Sequence, residues 1–433
     1  MSLRAYRDVL TRPVLTWSGV AVGARMPVAM APLAVVFLVR ERPGGYTLGA
    51  LLAAVYVLGE IVGAPLLGMR LKAERARPAL AGGLAVGAAG FGALGVFPGA
   101  HPVLLAAFAF IAGAGPAAAP GGLRALLTSL VPERVVTQAL SYETTLTFAI
   151  WAISPAAVAG LALSLDPRLP LLLGAVLMAA GCAGMWRLPV GWEKEAAEPG
   201  GESMVRTVAR AWPVFVTGAA SLSLLGLAEL ILPALLEQRG IGVGWAGPLL
   251  AGFAVGSGVG AFLYGLRGSW PGSLPVQSLV LMCSVSGCVV LVAVLPSGVL
   301  IGIMLGIAGV LQAGSMMTRQ LTLRAVLPSS ALAAAYSVMY AAVGAGYAAA
   351  GTLSGALLKV TSPSLAILAG VGLTVVLTVV GAVGERATRG GRGKEIPLPA
   401  PSRKPDGTSG AAAPGPLPGS RPSASSSNAG RAE

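Results

Sequence analysis

Residues 107–161 read AFAFIAGAGPAAAPGGLRALLTSLVPERVVTQALSYETTLTFAIWAISPAAVAGL, and a weaker copy of this stretch returns 196 residues later, Ile111 meeting Ile307. Ala112, Gly113, Leu127, Pro132, Ala139, Ser141 and Leu161 meet Ala308, Gly309, Leu323, Pro328, Ala335, Ser337 and Leu357 without a gap. In a chain so rich in Ala and Leu some matches arise by chance, but the proline punctuation does not. Each copy is an apolar run, a short polar elbow entered through Val-Pro or Leu-Pro, and a second apolar run, so the chain reads as one design used twice. Gly59, Gly63 and Gly68 find a similar echo in Gly256, Gly260 and Gly265.

Working outward, the composition places these runs in a bilayer. Apolar residues make up 55% of the 433 residues and charged residues 11%, and the mean hydropathy is +0.78. A soluble globular chain carries about a quarter charged residues. The runs are continuous and about twenty residues long, the length of a spanning helix rather than the alternating pattern of a membrane β-strand. The sequence therefore predicts an all-α polytopic membrane protein. Twelve transmembrane helices are expected at 14–39, 46–69, 78–98, 102–127, 137–163 and 168–188, then 211–237, 241–266, 273–296, 298–323, 331–357 and 362–384.

These form two pseudo-symmetric six-helix halves, 1–188 and 211–385. Residues 189–210, PVGWEKEAAEPGGESMVRTVAR, read as a linker between them, and 386–433, rich in Gly, Pro, Ser and Arg, as a disordered tail. With the N-terminus inside, most loop Lys and Arg fall on one side, including Arg70, Lys72, Arg75, Arg77, Arg134, Arg187 and Arg210. The other side receives Arg40, Arg42, Arg168, Arg239 and Lys359. The bias predicts a multi-pass protein of the plasma membrane with both termini and the linker cytoplasmic. Trp17, Trp186, Trp212 and Trp245 fall near helix ends, where interfacial anchors belong. Cys182, Cys283 and Cys288 lie in apolar runs without metal or redox spacing and read as small buried hydrophobes. The net charge of +13 is spread over loops and tail with no basic helix or aromatic-interleaved patch, so no nucleic-acid partner is expected.

Two parallel six-helix halves joined by a central linker resemble the major facilitator superfamily over roughly residues 10–385. ARMPVAMAPLAVVFLVRERPGGYTLGALLAAVYVLGEIVGAPLLG looks like the first two helices of actinobacterial drug-efflux members, and RALLTSLVPERVVTQALSYE looks like their elbow between helices four and five. The family's loop between helices two and three usually carries an Asp; here it reads GMRLKAERARP, with Lys72 in that place. Its antiporter motif on helix five is reduced to SPAAVAG, Ser154 to Gly160. The resemblance implies a monomeric secondary transporter whose spans one, four, seven and ten line a central cavity.

Charges at membrane depth cost several kcal/mol unless paired or hydrated, so each needs a reason. Arg25 lies well inside span one, Glu60 inside span two and Glu229 inside span seven. Glu60 and Glu229 are candidates for proton coupling, since a carboxylate whose hydration alternates can load and release a proton. The competing reading pairs Arg25 with Glu60 or Glu229 as a structural ion pair. Arg25 is also a candidate for the substrate cavity, together with Pro27, Pro32 and Pro233, whose missing N–H groups free helix carbonyls. Arg124, Glu143, Arg319 and Arg324 lie near the elbows, either as helix-end charges reaching the interface or as a gating network.

The function these residues suggest is proton-coupled efflux of a small hydrophobic or amphiphilic compound, a drug or secondary metabolite, by alternating access. A metabolite importer or uniporter of the same fold remains the alternative. A polytopic membrane enzyme is more remote, because the chain has a single His and no Asp within any expected span. No Gly-rich phosphate loop, metal-ligand cluster or cofactor motif is present, and no cofactor is expected. The expected partners are the bilayer, a small-molecule substrate and protons.

Overall fold

The computed structural model describes residues 4–43, 45–189, 203–267 and 270–392, and among these every regular element is helical. A short α1 (Arg4–Val9) precedes the first half: α2 (Arg12–Val39), α3 (Gly45–Arg70), α4 (Ala76–Val96), α5 (Pro102–Ala114) with α6 (Ala119–Ser129), α7 (Val136–Ser164) and α8 (Leu169–Met185). A short α9 (Met204–Ala209) precedes the second half: α10 (Trp212–Gln238), α11 (Ala246–Arg267), α12 (Leu274–Val294), α13 (Gly298–Val326), α14 (Leu332–Val360) and α15 (Pro363–Arg392). Eleven segments are long and apolar enough to cross a membrane, α5 and α6 together counting as one, and the apolar α8 is shorter. The twelve-helix layout expected from the hydropathy is thus present.

The differences have local causes. Span four is not one helix, because Gly115 and Pro116 open a turn across 115–118 before α6 starts with Pro120 in its first turn. Proline has no N–H for the helix ladder and its ring crowds the preceding turn. At the same offset of 196 residues α13 carries Gln312 where span four carries Pro116, and α13 runs unbroken. Within the expected linker, Ser203 caps α9 through the Arg206 amide. Helix α15 continues through 386–392, the first residues of the expected tail; the rest of that tail and most of the linker lie outside the described residues. Trp17 is no interfacial anchor: it is fully buried and donates its indole N–H to the Leu123 carbonyl at 2.7 Å. Cys288 is buried as expected, whereas Cys283 is exposed on the outside of α12 and Cys182 is half-buried.

An even number of spans returns the chain to the face it started from, and on this terminus-bearing face the halves share one apolar core. Trp17, Leu84, Leu123 and Leu126 of the first half pack there with Met317, Leu323 and Tyr336 of the second. Towards the opposite face the cores separate, one around Leu52, Tyr56, Phe91 and Leu105 and the other around Ile231, Leu235, Val289 and Ile301. The halves are therefore joined towards the terminus-bearing face, and a smaller cluster of Ala64 and Ala117 with Ala341, against which Tyr340 packs, extends the joint.

Small residues of the repeat make that joint. Gly68 of α3 packs on Ser337 of α14, and Gly265 of α11 packs on Ser141 of α7, so the two seams use equivalent residues. Ser141 donates to the Ala261 carbonyl at 2.6 Å, and Gln138 donates to the Gly265 carbonyl at 3.1 Å. The α1 side chain Tyr6 lies over this seam, its hydroxyl 2.7 Å from Ser141 Oγ and 2.9 Å from the Phe262 carbonyl. Within each half, Gly113 and Gly309 occupy matching places against the carbonyls of Tyr56 and Phe253. Without a water-driven hydrophobic force between helices, such close backbone approach supplies much of the association energy.

A side chain at Gly113 would drive its Cβ into the Tyr56 carbonyl. Gly113→Val is therefore expected to lower stability by roughly 1–3 kcal/mol, read as a reduced thermal midpoint in detergent. Gly160→Ala, where the added methyl meets open space, should leave the midpoint unchanged or slightly raised.

Candidate functional site

The buried charges of the first half converge on one carboxylate. The turn at 115–118 lets α6 restart so that Arg124 faces α7, where Glu143 sits two turns from the helix start. Arg124 clamps Glu143 from two sides, Nε to Oε2 at 3.1 Å and Nη2 to Oε1 at 2.7 Å. Arg25 reaches the same Oε1 at 2.5 Å and also donates to Thr147 Oγ1 at 2.7 Å. Glu143 is fully buried, and both guanidiniums are at least nine-tenths buried. Trp17 lies 5.9 Å from the Arg25 guanidinium, and Tyr336 of the second half lies 5.4 Å from that of Arg124. The cluster therefore joins α2, α6 and α7 and rests against α14.

This revises the expected pairing, since Arg25 bonds neither Glu60 nor Glu229. Those two carboxylates have only phenol partners among the described residues. Tyr56, one turn earlier on α3, donates to Glu60 Oε1 at 3.4 Å, and Tyr340 of α14 donates to the same oxygen at 3.0 Å. Glu60 thus sits on the seam itself, held by both halves. Glu229 of α10 accepts from Tyr347 of α14 at 3.2 Å, two turns beyond Tyr340 and away from the joined face.

Of the expected gating residues, two bond each other and two go elsewhere. Arg124 pairs with Glu143 within the first half. Arg324 forms an ion pair across the halves with Glu133, at the joined face. Arg319 stays inside the second half, bonding Ser315 Oγ at 2.7 Å and Ser221 Oγ at 3.0 Å, with Met282 Sδ at 3.4 Å. Gln312 completes this neutral cage from 2.7 Å to Ser221. The prolines separate as well: Pro27 is buried against the Gly174 position of α8, on the outer side of α2, while Pro32 and Pro233 are half-buried, and α2 and α10 run through all three without a break.

Sequence reasoning missed Tyr56, Tyr340, Tyr347, Thr147 and Glu133. Tyr56 carried a local signal, a polar tip one helical turn from a buried acid. Tyr340 is 280 positions from Glu60 and becomes its partner only when the halves meet.

The arrangement orders the acids by their tolerance to loss of charge. Glu143→Gln leaves two buried guanidiniums without a counter-charge and is expected to cost about 3–5 kcal/mol. Glu60→Gln, which keeps its phenol partners, should cost far less. Thermal midpoints of the two variants side by side check this order; equal midpoints would remove the structural role of Glu143.

Residues 18–318 match the model of the Major Facilitator Superfamily. No curated protein sequence matches the chain. Solved structures do: a bacterial homologue of the iron transporter ferroportin in an outward-facing state has a TM-score of 0.68 at 14% identity, over 90% of this chain and 100% of that one. FucP, the fucose:proton symporter of E. coli, in its outward conformation gives 0.67 at 14% identity over 87% and 99%. The human organic anion transporter MFSD10 gives 0.64 at 14% identity over 88% and 100%. With the family model covering well over half of the sequence and the helices laid out in the same fold, the chain belongs to the Major Facilitator Superfamily and is a membrane transporter, not an enzyme.

Proposed function

We propose that the chain is a proton-coupled exporter of small hydrophobic or amphiphilic compounds, drugs or secondary metabolites, working by alternating access in the plasma membrane, and that Glu60 carries the proton. The position of Glu60 is the observation that carries this reading. It belongs to the first half, bonds Tyr340 of the second, and lies on a seam that must part when the joined face opens. Both hydrogen bonds end on Oε1, and Oε2 takes none among the described residues. A carboxylate accepts from both phenols, whereas the neutral acid offers a hydroxyl of its own. The two charge states therefore bond the seam differently, which is what links protonation to conformation.

Glu143 is a poor carrier by the same logic, since its two guanidiniums need the negative charge. Glu229, bonded among the described residues only to Tyr347, where the halves have parted, is the second coupling candidate. The positive-inside bias makes the joined, terminus-bearing face cytoplasmic, so the conformation is the outward-open one. Arg324 with Glu133, and Tyr6 across α7 and α11, are then the bonds that release when the inner mouth opens. The resemblance of spans one and two to actinobacterial drug-efflux members supports the direction. Arg319, a buried guanidinium with only neutral partners among the described residues, favours an anionic amphiphile among such compounds.

The experiment uses inside-out vesicles energised to an acid interior, with lipophilic cations, anions and neutral antibiotics added one at a time. The expected outcome is that at least one compound dissipates the gradient in wild type. Glu60→Gln abolishes that proton release while keeping expression and thermal midpoint, and Tyr340→Phe weakens it. Release that survives in Glu60→Gln and disappears in Glu229→Gln transfers the role to Glu229. If no compound dissipates the gradient in wild type, the coupling assignment fails.

A further inference from the structure

The turn in span four leaves a groove on the outside of the first half, between α3, α4 and residues 110–119. Its volume is about 430 Å³, within the roughly 300–1,000 Å³ of ligand pockets. The lining is apolar, with Leu67, Leu71, Leu80, Val86, Phe110 and Pro116 prominent, and Arg70 is its single charged residue. Leu67, Val86, Phe110 and Ile111 are exposed within spanning segments, so the groove opens to the lipid side. Two features make it. Gly82 and Gly83 contribute no side chains to its wall, and Pro116 ends the α5 ladder so that the chain turns aside before α6.

The groove also has a direction. Arg70 is the last residue of α3, at the level where headgroups of the terminus-side leaflet lie. Phe110 and Ile111 lie near the middle of span four, at hydrocarbon depth. A charge at headgroup level above an apolar trough that runs inward is the complement of a phospholipid, phosphate at the rim and chain within. The following turn strengthens the sign, placing Lys72 and Arg75 against a single acid, Glu74. Arg70 makes no ion pair among the described residues. Arg77 is already engaged, donating to the Leu188 carbonyl at 3.3 Å and facing the Trp186 ring at 5.0 Å.

We propose that this groove is a binding site for one anionic phospholipid, with an acyl chain along α4 and the phosphate on Arg70. The attraction of basic side chains for anionic headgroups and the burial of methylene groups act together here. The floor of the groove, Ala118 and Ala119, leads directly to Gly121, which packs on Ser337 of the second half. A lipid in this place therefore stays beside the α3–α14 seam and braces α6 against it.

The test is native mass spectrometry of the detergent-purified full chain titrated with dioleoyl phosphatidylglycerol or dioleoyl phosphatidylcholine. A saturable single adduct, tighter for phosphatidylglycerol, is expected. Arg70→Gln should remove that preference, a loss of roughly fivefold in affinity. Gly82→Leu, which grows into open space rather than into a neighbour, should weaken both lipids by filling the trough. Arg187→Gln, an exposed basic change on the same face at the end of α8, should alter nothing. Equal affinity of wild type for the two lipids overturns the proposal, as does an Arg187→Gln loss equal to that of Arg70→Gln. A folded Gly82→Leu that binds as wild type overturns it too. If Gly82→Leu fails to fold, Arg70→Gln against Arg187→Gln decides alone.

Discussion

Everything in the first half leans on a carboxylate that two guanidiniums share. A lone charge on a spanning helix carries a penalty of several kcal/mol, and Arg25 and Arg124 would each carry it without Glu143. The cluster fixes the rotation of α2, α6 and α7 about their axes, because each must aim one side chain at a common point. It also brings the Arg124 guanidinium to the Tyr336 ring, so the same electrostatic knot helps define where α14 of the other half can lie. The joint apolar core at the terminus-bearing face forms around this fixed geometry.

The two halves share a plan but not their polar chemistry. At the offset that aligns Gly113 with Gly309 and Ser141 with Ser337, Arg124 corresponds to Gln320 and Glu143 to Met339. The second half buries Arg319 instead, one position out of register with Gln320, and satisfies it with hydroxyls and a thioether. Shared positions are the small residues that let helices touch, while the divergent ones are charged. Packing geometry is thus common to both halves, and an alternating-access transporter needs an asymmetric interior to recognise a cargo.

That division explains what could be read from the chain alone. Helix number, the two-half plan and the Gly and Ser positions that pack closely are properties of spacing, and the repeat displayed them. The turn at Gly115 and Pro116 was present in the letters, but the hydropathy of GPAAAP is that of any spanning helix, which hid it. Trp17 looked like an anchor because it is near a helix end; its burial depends on the Leu123 carbonyl, supplied by a helix 106 residues away. Partner choice among the buried charges was illegible for the same reason. The letters offered Arg25 two acids, Glu60 and Glu229, and only the restart of α6 after its turn shows that Glu143 already holds one arginine and sits where it can take a second.

The Glu143 cluster has a consequence for biosynthesis. Arg25 lies in α2, and its counter-charge follows 118 positions later in α7. At usual elongation rates that interval is about 6 to 24 s. During it α2 enters the translocon with an unneutralised guanidinium that resists partitioning by about 3 kcal/mol. The apolar residues of α2, mean hydropathy 1.9, must hold that guanidinium in the bilayer unaided until α7 is made, so the ion pair that organises the folded half contributes nothing to the insertion of its own first member.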